Sequence, residues 1–166
     1  MTDHRTLLAC GEHAVLVELG GLDDVLPFAD AVREAVAARA PGLTDVVDIV
    51  PAARTVLVVV HDNVPVAPVR QALTVLPIAE AGKAPSSEEV VEIPVRYDGP
   101  DLLEVSEITG LGVPEIIAAH TRSDWRVAFG GFAPGFAYLG WGDPRLAVPR
   151  RQEPRTSVPA GIINWP

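Results

Sequence analysis

Apolar residues recur in two rhythms along this 166-residue chain, and the switches between them predict its elements. From Ala14 to Leu19 valine and leucine alternate as in a strand, until Gly20-Gly21 breaks the pattern. From Asp23 onward Val25, Phe28, Ala29, Val32 and Val36 fall at helical spacing, with Asp30, Arg33 and Glu34 on other faces. Asp23 or Asp24 is expected to cap this helix, with Pro27 in its first turn and Pro41-Gly42 as its stop. Asp45–Val50 and Thr55–Val60 read as two strands joined by a turn at Pro51-Ala52-Ala53. Val66–Leu76 returns to helical spacing through Val69, Leu73 and Leu76. Glu80-Ala81-Gly82-Lys83-Ala84-Pro85-Ser86-Ser87 has linker composition, and Val90–Val95 reads as a further strand.

The order strand-helix-strand-strand-helix-strand is the split βαβ, ferredoxin-like arrangement. The Val90 strand belongs either to this unit or to the next. We place the division at the linker, giving domains 1–84 and 85–166 in an α+β fold. The second half opens with Tyr97-Asp98-Gly99-Pro100-Asp101, a turn and helix cap. Helices over Leu102–Ile108 and Pro114–His120 follow, then a strand over Trp125–Phe129.

From that strand hangs the densest local signal, Phe129-Gly130-Gly131-Phe132-Ala133-Pro134-Gly135-Phe136-Ala137-Tyr138-Leu139-Gly140. Glycine permits positive φ and close backbone approach, and proline fixes φ. Interleaved with aromatics, they predict a long, rigid binding loop. Asp143-Pro144-Arg145-Leu146, Pro149-Arg150, Pro154-Arg155-Thr156 and Val158-Pro159-Ala160-Gly161 continue the theme.

Composition narrows the function classes. Apolar residues at 48% and charged residues at 21% suit a packed globular core. A formal charge of −9 argues against nucleic acid or an anionic membrane as the main partner. Arg145, Arg150, Arg151 and Arg155 nonetheless keep the loop region basic, either to meet a small anion or as a solvated rim paired with acids. The single Cys10 allows neither an internal disulfide nor a cysteine metal cage. No apolar run reaches membrane length and the N-terminus has no secretory segment, so a soluble, cytoplasmic protein is expected.

The histidines, His4, His13, His61 and His120, show no helical zinc spacing, and no metal-ligating residue of this chain is expected. His120 ends a helix close to the loop-bearing strand, where a helix C-terminus favours its charged form. It reads equally as a catalytic residue or as a structural one. There is no P-loop and no G-x-S-x-G elbow, and Ser123 and Ser157 lack a visible base partner. A self-contained hydrolase is therefore not visible.

The C-terminal motifs resemble those of the allophanate hydrolase subunit 1 family, which takes in the PxpB component of 5-oxoprolinase and the kinase inhibitor KipI. The family pattern reads roughly G-F-x-P-G-F-x-Y-L, D-x-R-L-x-x-P-R and P-R-T-x-V-P-A-G. Pro51-Ala52-Ala53-Arg54-Thr55-Val56-Leu57-Val58 and Gly11–Glu18 resemble its upstream strands. Ala137 stands where many relatives have proline. Relatives also run on for tens of residues past Gly161, whereas this sequence reads Ile162-Ile163-Asn164-Trp165-Pro166, so the second domain is expected to be truncated.

The resemblance implies a cyclophilin-like β-barrel as the second domain. It also implies a composite enzyme: a subunit of an ATP-dependent 5-oxoprolinase, converting 5-oxoproline to glutamate and inactive alone. Its partners would be a carboxyltransferase-like second subunit of the allophanate hydrolase subunit 2 (PxpC) type and a LamB-type third subunit. ATP, with Mg2+, would be shared with the partner. Opening a lactam is uphill unless coupled to ATP, and phosphorylating the amide oxygen makes a good electrophile. Such a site needs cations and N–H donors around the moving phosphoryl group.

His120, Arg150 and Arg155 are the candidate catalytic groups. Arg126, Gly131, Phe132, Pro134, Gly135, Tyr138, Pro159, Ala160 and Gly161 are the candidate binding groups. Phe132 and Phe136 read either as pocket wall or as barrel core, and Tyr138 is better placed for a ligand. Arg54 is a candidate for a domain or partner contact, and Trp141 and Trp165 for a subunit interface. A lactam and a ureide are both flat amides, so an allophanate hydrolase or urea carboxylase component is an alternative. A KipI-like regulator that inhibits a kinase is another. Prolyl isomerisation would borrow from fold alone.

Overall fold

The computed structural model describes residues 5–77 and 90–149. The chain divides into two compact units, one of Met1–Glu88 with Val127–Tyr138 and one of Glu89–Arg126 with Leu139–Pro166. The segment Val127–Tyr138 thus packs with the N-terminal unit although it follows the second unit's helices in sequence.

In the first unit β1 (Thr6–Ala9), β2 (Ala14–Glu18), β3 (Val46–Pro51) and β4 (Thr55–Val60) form one sheet in the order β1-β2-β4-β3. Every neighbouring pair is antiparallel. Strands β2 and β3 therefore run the same way on either side of β4, and helix α1 (Leu22–Ala37) makes the crossover between them. Helix α2 (Val66–Val75) follows β4.

Alternation decides the faces. Val15 and Val17 of β2 and Val56, Val58 and Val60 of β4 are buried. They cluster with Val25, Phe28, Ala29 and Val32 of α1 and Val69 and Leu73 of α2. Leu8, Leu16, Leu57 and Val50 form one aligned row on the alternate positions, and Leu8 and Val50 at its ends are exposed. Arg5 secures the end of α2: its Nη1 donates to the carbonyls of Leu73 and Leu76 at 2.7 and 2.8 Å, satisfying acceptors a helix end leaves orphaned.

Three expectations are corrected. Helix α1 begins at Leu22 after Gly21, with no side-chain cap, so neither Asp23 nor Asp24 caps it and Pro27 lies beyond the first turn. The two aspartates still lie in the positive first turn, where carboxylates are favoured. Val90–Val95 is not a strand among the described residues: Val90, Val91 and Ile93 are exposed, and none of them pairs there in a sheet. The sheet edge beside β2 is taken by β1 instead, a short strand that the alternation of Thr6-Leu7-Leu8-Ala9 was too brief to announce. The expected linker at 80–87 lies outside the described residues.

The described part of the second unit holds α3 (Leu102–Thr109), α4 (Val113–Arg122) and a 3-10 turn (Pro144–Leu146). Ile116, Ala119 and Leu146 are its buried centre, flanked by Leu102, Val105 and Leu111. Gly110 ends α3 at φ 70, a left-handed conformation that glycine adopts without penalty. Strands β5 (Arg126–Gly130) and β6 (Ala137–Gly140) form a two-stranded hairpin.

Phe28 is fully buried at the centre of the first core, whereas Val90 is 91% exposed. Phe28→Ala is expected to lower unfolding stability by about 3–5 kcal/mol, and Val90→Ser to change it by no more than about 0.5 kcal/mol. Urea midpoints followed by far-UV circular dichroism of the two variants check this contrast.

Candidate functional site

The Gly/Pro/aromatic motif is the tip of the β5–β6 hairpin. The N–H of Gly131 donates to the carbonyl of Phe136 at 3.2 Å and closes the tip. Inside it the Ala133 N–H donates to the Gly131 carbonyl and the Phe136 N–H to the Ala133 carbonyl. Gly135 takes φ 79 at no steric cost, but Phe132 takes φ 65, which a side chain bearing Cβ adopts only under strain. Its ring is 89% exposed.

The aromatics form a ladder. Phe129 and Tyr138 stack with centroids 4.5 Å apart, Tyr138 meets the edge of Phe136 at 5.2 Å, and Phe136 that of Phe132 at 5.5 Å. Such contacts stiffen the tip beyond what its short hydrogen bonds provide. Only the Phe129 end reaches the first unit's core, where it packs beside buried Ala128. Phe132, Phe136 and Tyr138 stand in the open, so none of them is core.

In the second unit His120 is almost fully buried in the last turn of α4. Its Nδ1 shares a 2.6 Å hydrogen bond with the Tyr97 hydroxyl, and its ring lies 5.0 Å from that of Trp125. The Trp125 indole N–H donates to the His120 carbonyl at 2.9 Å. Burial pushes the His120 pKa below, and that of Tyr97 above, their ordinary values. Loss of solvation thus favours the neutral imidazole of His120 at pH 7. The Trp125 indole also explains Gly142: a Cβ there would collide with the ring.

Arg126, also in this unit, lies over the Trp141 ring at 6.0 Å, a cation–π distance. Asp143 caps the 3-10 turn through the Arg145 N–H at 2.9 Å and grips the Arg145 guanidinium through both oxygens. These bonds hold the Asp143 carboxyl below its usual range.

Of the expected site residues, Gly131, Phe132, Pro134, Gly135 and Tyr138 share the hairpin tip, while His120 is buried within the second unit. Arg150, Arg155, Pro159, Ala160 and Gly161 lie outside the described residues, as does Trp165. Within the tip the Gly131 N–H is spent on the Phe136 carbonyl rather than held open for a ligand. Tyr97 and Trp125 were missed as partners of His120. Tyr97 is 23 residues away along the chain, beyond the reach of any periodicity.

The family model for the carboxyltransferase domain, subdomain C and D, matches residues 5–164. The chain belongs to this family. The 5-oxoprolinase B-type subunit of Bacillus subtilis (strain 168) is 46% identical over 81 residues, covering 47% of this chain and 34% of that protein. Its counterpart in Escherichia coli O157:H7 is 44% identical over 77 residues, covering 45% of this chain and 35% of that protein. The crystal structure of TTHA0988 in space group P6522 matches 89% of this chain and 28% of its own at 33% identity, with a TM-score of 0.64. This carboxyltransferase C/D chain therefore spans about a third of the length of the curated relatives it matches. Among its described residues no helix is long and apolar enough to cross a membrane.

The depressed pKa of His120 fixes the sign of a pH effect on this family member. Between the folded pKa and the unfolded value of about 6.5, only the unfolded chain holds the extra proton. Stability of the second unit is therefore complete above that unfolded value and declines as pH falls through the window. Urea midpoints by tryptophan fluorescence at pH 7.5 and 5.5 are expected to drop on acidification, and to drop less in His120→Gln. An equal drop in the two proteins would assign the acid sensitivity elsewhere.

Proposed function

We propose that this chain is one component of a hetero-oligomeric, ATP-dependent amidohydrolase of the 5-oxoprolinase type, opening 5-oxoproline to glutamate. The observation that carries the reading is the exposed aromatic hairpin. Val127, Phe132, Phe136 and Tyr138 of the first unit are all exposed within one short stretch. Apolar side chains held rigidly in the open mark a surface built to meet a partner. The naming of the relatives as 5-oxoprolinase subunits supports the reaction class.

On this reading the site is composite. A carboxyltransferase-like second subunit, with a LamB-type third, completes it, and ATP with Mg2+ binds in the shared part. To that site this chain contributes guanidinium groups, with Arg126, Arg150 and Arg155 the candidates, whose planar forks suit carboxylate and phosphate. The ferredoxin-like and cyclophilin-like assignments of the two domains and a cytoplasmic location belong to the same proposal. The exposed tip also favours a second reading, a KipI-like regulator that grips a kinase through the same aromatics.

The test is ATP-dependent release of glutamate from 5-oxoproline by the chain mixed with the second and third subunits. Release is expected only with all components present, and Arg126→Ala is expected to reduce it by roughly tenfold or more. Equal release when this chain is omitted would defeat the proposal. Tight kinase binding without substrate or nucleotide would favour the regulator.

A further inference from the structure

A charged depression lies within the second unit, built from residues outside the hairpin. Glu115 and Arg122 are seven residues apart on α4, so they share one face, ~10.5 Å apart along the axis. Ala118 and Ala119 lie between them, and these small side chains leave an open space of about 250 Å3 that Asp143 and Arg145 complete.

The hydrogen bonds show which groups are unspent. Arg145 gives Nε and Nη2 to Asp143, and its Nη1 has no bond among the described residues. Glu115 accepts the Gly112 N–H through Oε2 at 2.8 Å, leaving Oε1 unused among the described residues. The Arg122 guanidinium likewise has no ion-pair partner among them. Counted by unspent groups, two cationic donors and one anionic acceptor therefore line a single depression, with the Asp143 carboxylate taken up by Arg145 and the Glu115 charge already acting on Arg145.

That count selects a ligand class. A plain dianion would satisfy the arginines but leave Glu115 repelling it, and a diamine would meet two guanidiniums. We infer that this depression binds an acidic amino acid, its carboxylates on Arg122 and on Arg145 Nη1 and its ammonium on Glu115 Oε1. The side chains are solvent-facing, so the expected Kd is weak, on the order of 1 mM.

The test is a titration of the isotopically labelled chain, without ATP or partner subunits, followed by the amide resonances of Ala118 and Ala119. L-glutamate, glutarate and 1,5-diaminopentane are the probes. Saturable shifts are expected with L-glutamate, weaker ones with glutarate, which lacks the ammonium, and none with the diamine. Arg122→Ala and Glu115→Gln should each weaken L-glutamate binding about tenfold. The glutamine retains an acceptor for the Gly112 N–H, so the start of α4 is preserved, and far-UV circular dichroism confirms the fold of each variant. The inference is overturned if L-glutamate gives no saturable shift, if either variant binds it unchanged, or if glutarate binds as tightly as L-glutamate. L-glutamate is also the product in the reaction proposed above, but binding here is measured without turnover, so either proposal can fail alone.

Discussion

The contact on which the first unit depends is the seating of one valine face of β2 and β4 against the Val25-Phe28-Val32 stripe of α1. Strand β4 is central, paired on both sides, and its alternate residues Val56, Val58 and Val60 are buried. Burying apolar side chains at this density fixes register, because a one-residue slip would turn every valine to the wrong face. The same core receives Ala128 and Phe129 from β5. The hairpin is thereby anchored at one end of its aromatic ladder, and the other end is free to stand in solvent as a rigid probe.

Strain and exposure coincide at that free end. Phe132 holds a left-handed backbone conformation while placing its ring almost wholly in water. Neither property helps the isolated chain fold, and glycine there would remove both. A residue that costs stability and stands outside the core of the described residues is what the proposed partner contact rests on. His120 shows the opposite logic. It is neutral, enclosed between Tyr97 and Trp125, and tied into the local packing of α4. Its position makes it a support for the second unit first.

Much of this was legible in the order of residues. The α1 stripe, the strand pair read at Asp45–Val50 and Thr55–Val60, and helix α2 followed from residue pattern, while α3 and α4 followed from the turn and proline signals that open them. Strands β1 and β6 are four residues each, too short for alternation to stand out. Val90–Val95 has the composition of a strand, yet pairing rather than composition makes one, and among the described residues it has no neighbour. The loop motif coincides with the hairpin tip, whose exposure the motif left open. What it could not give was which N–H groups the tip consumes internally, since Gly131 bonding Phe136 is a property of the closed turn. The Tyr97–His120 and Asp143–Arg145 pairings are likewise tertiary and local-turn facts respectively, invisible to a count of residue types.

On the reading proposed above, the hairpin tip meets a partner subunit. Sedimentation velocity of the chain with a carboxyltransferase-like second subunit, for wild type and Phe132→Gly, tests it most directly. A stable hetero-complex is expected for wild type, weakened about tenfold or more in the variant, with the variant's own thermal midpoint unchanged or raised. Equal association of the two proteins, or none at all, would contradict it.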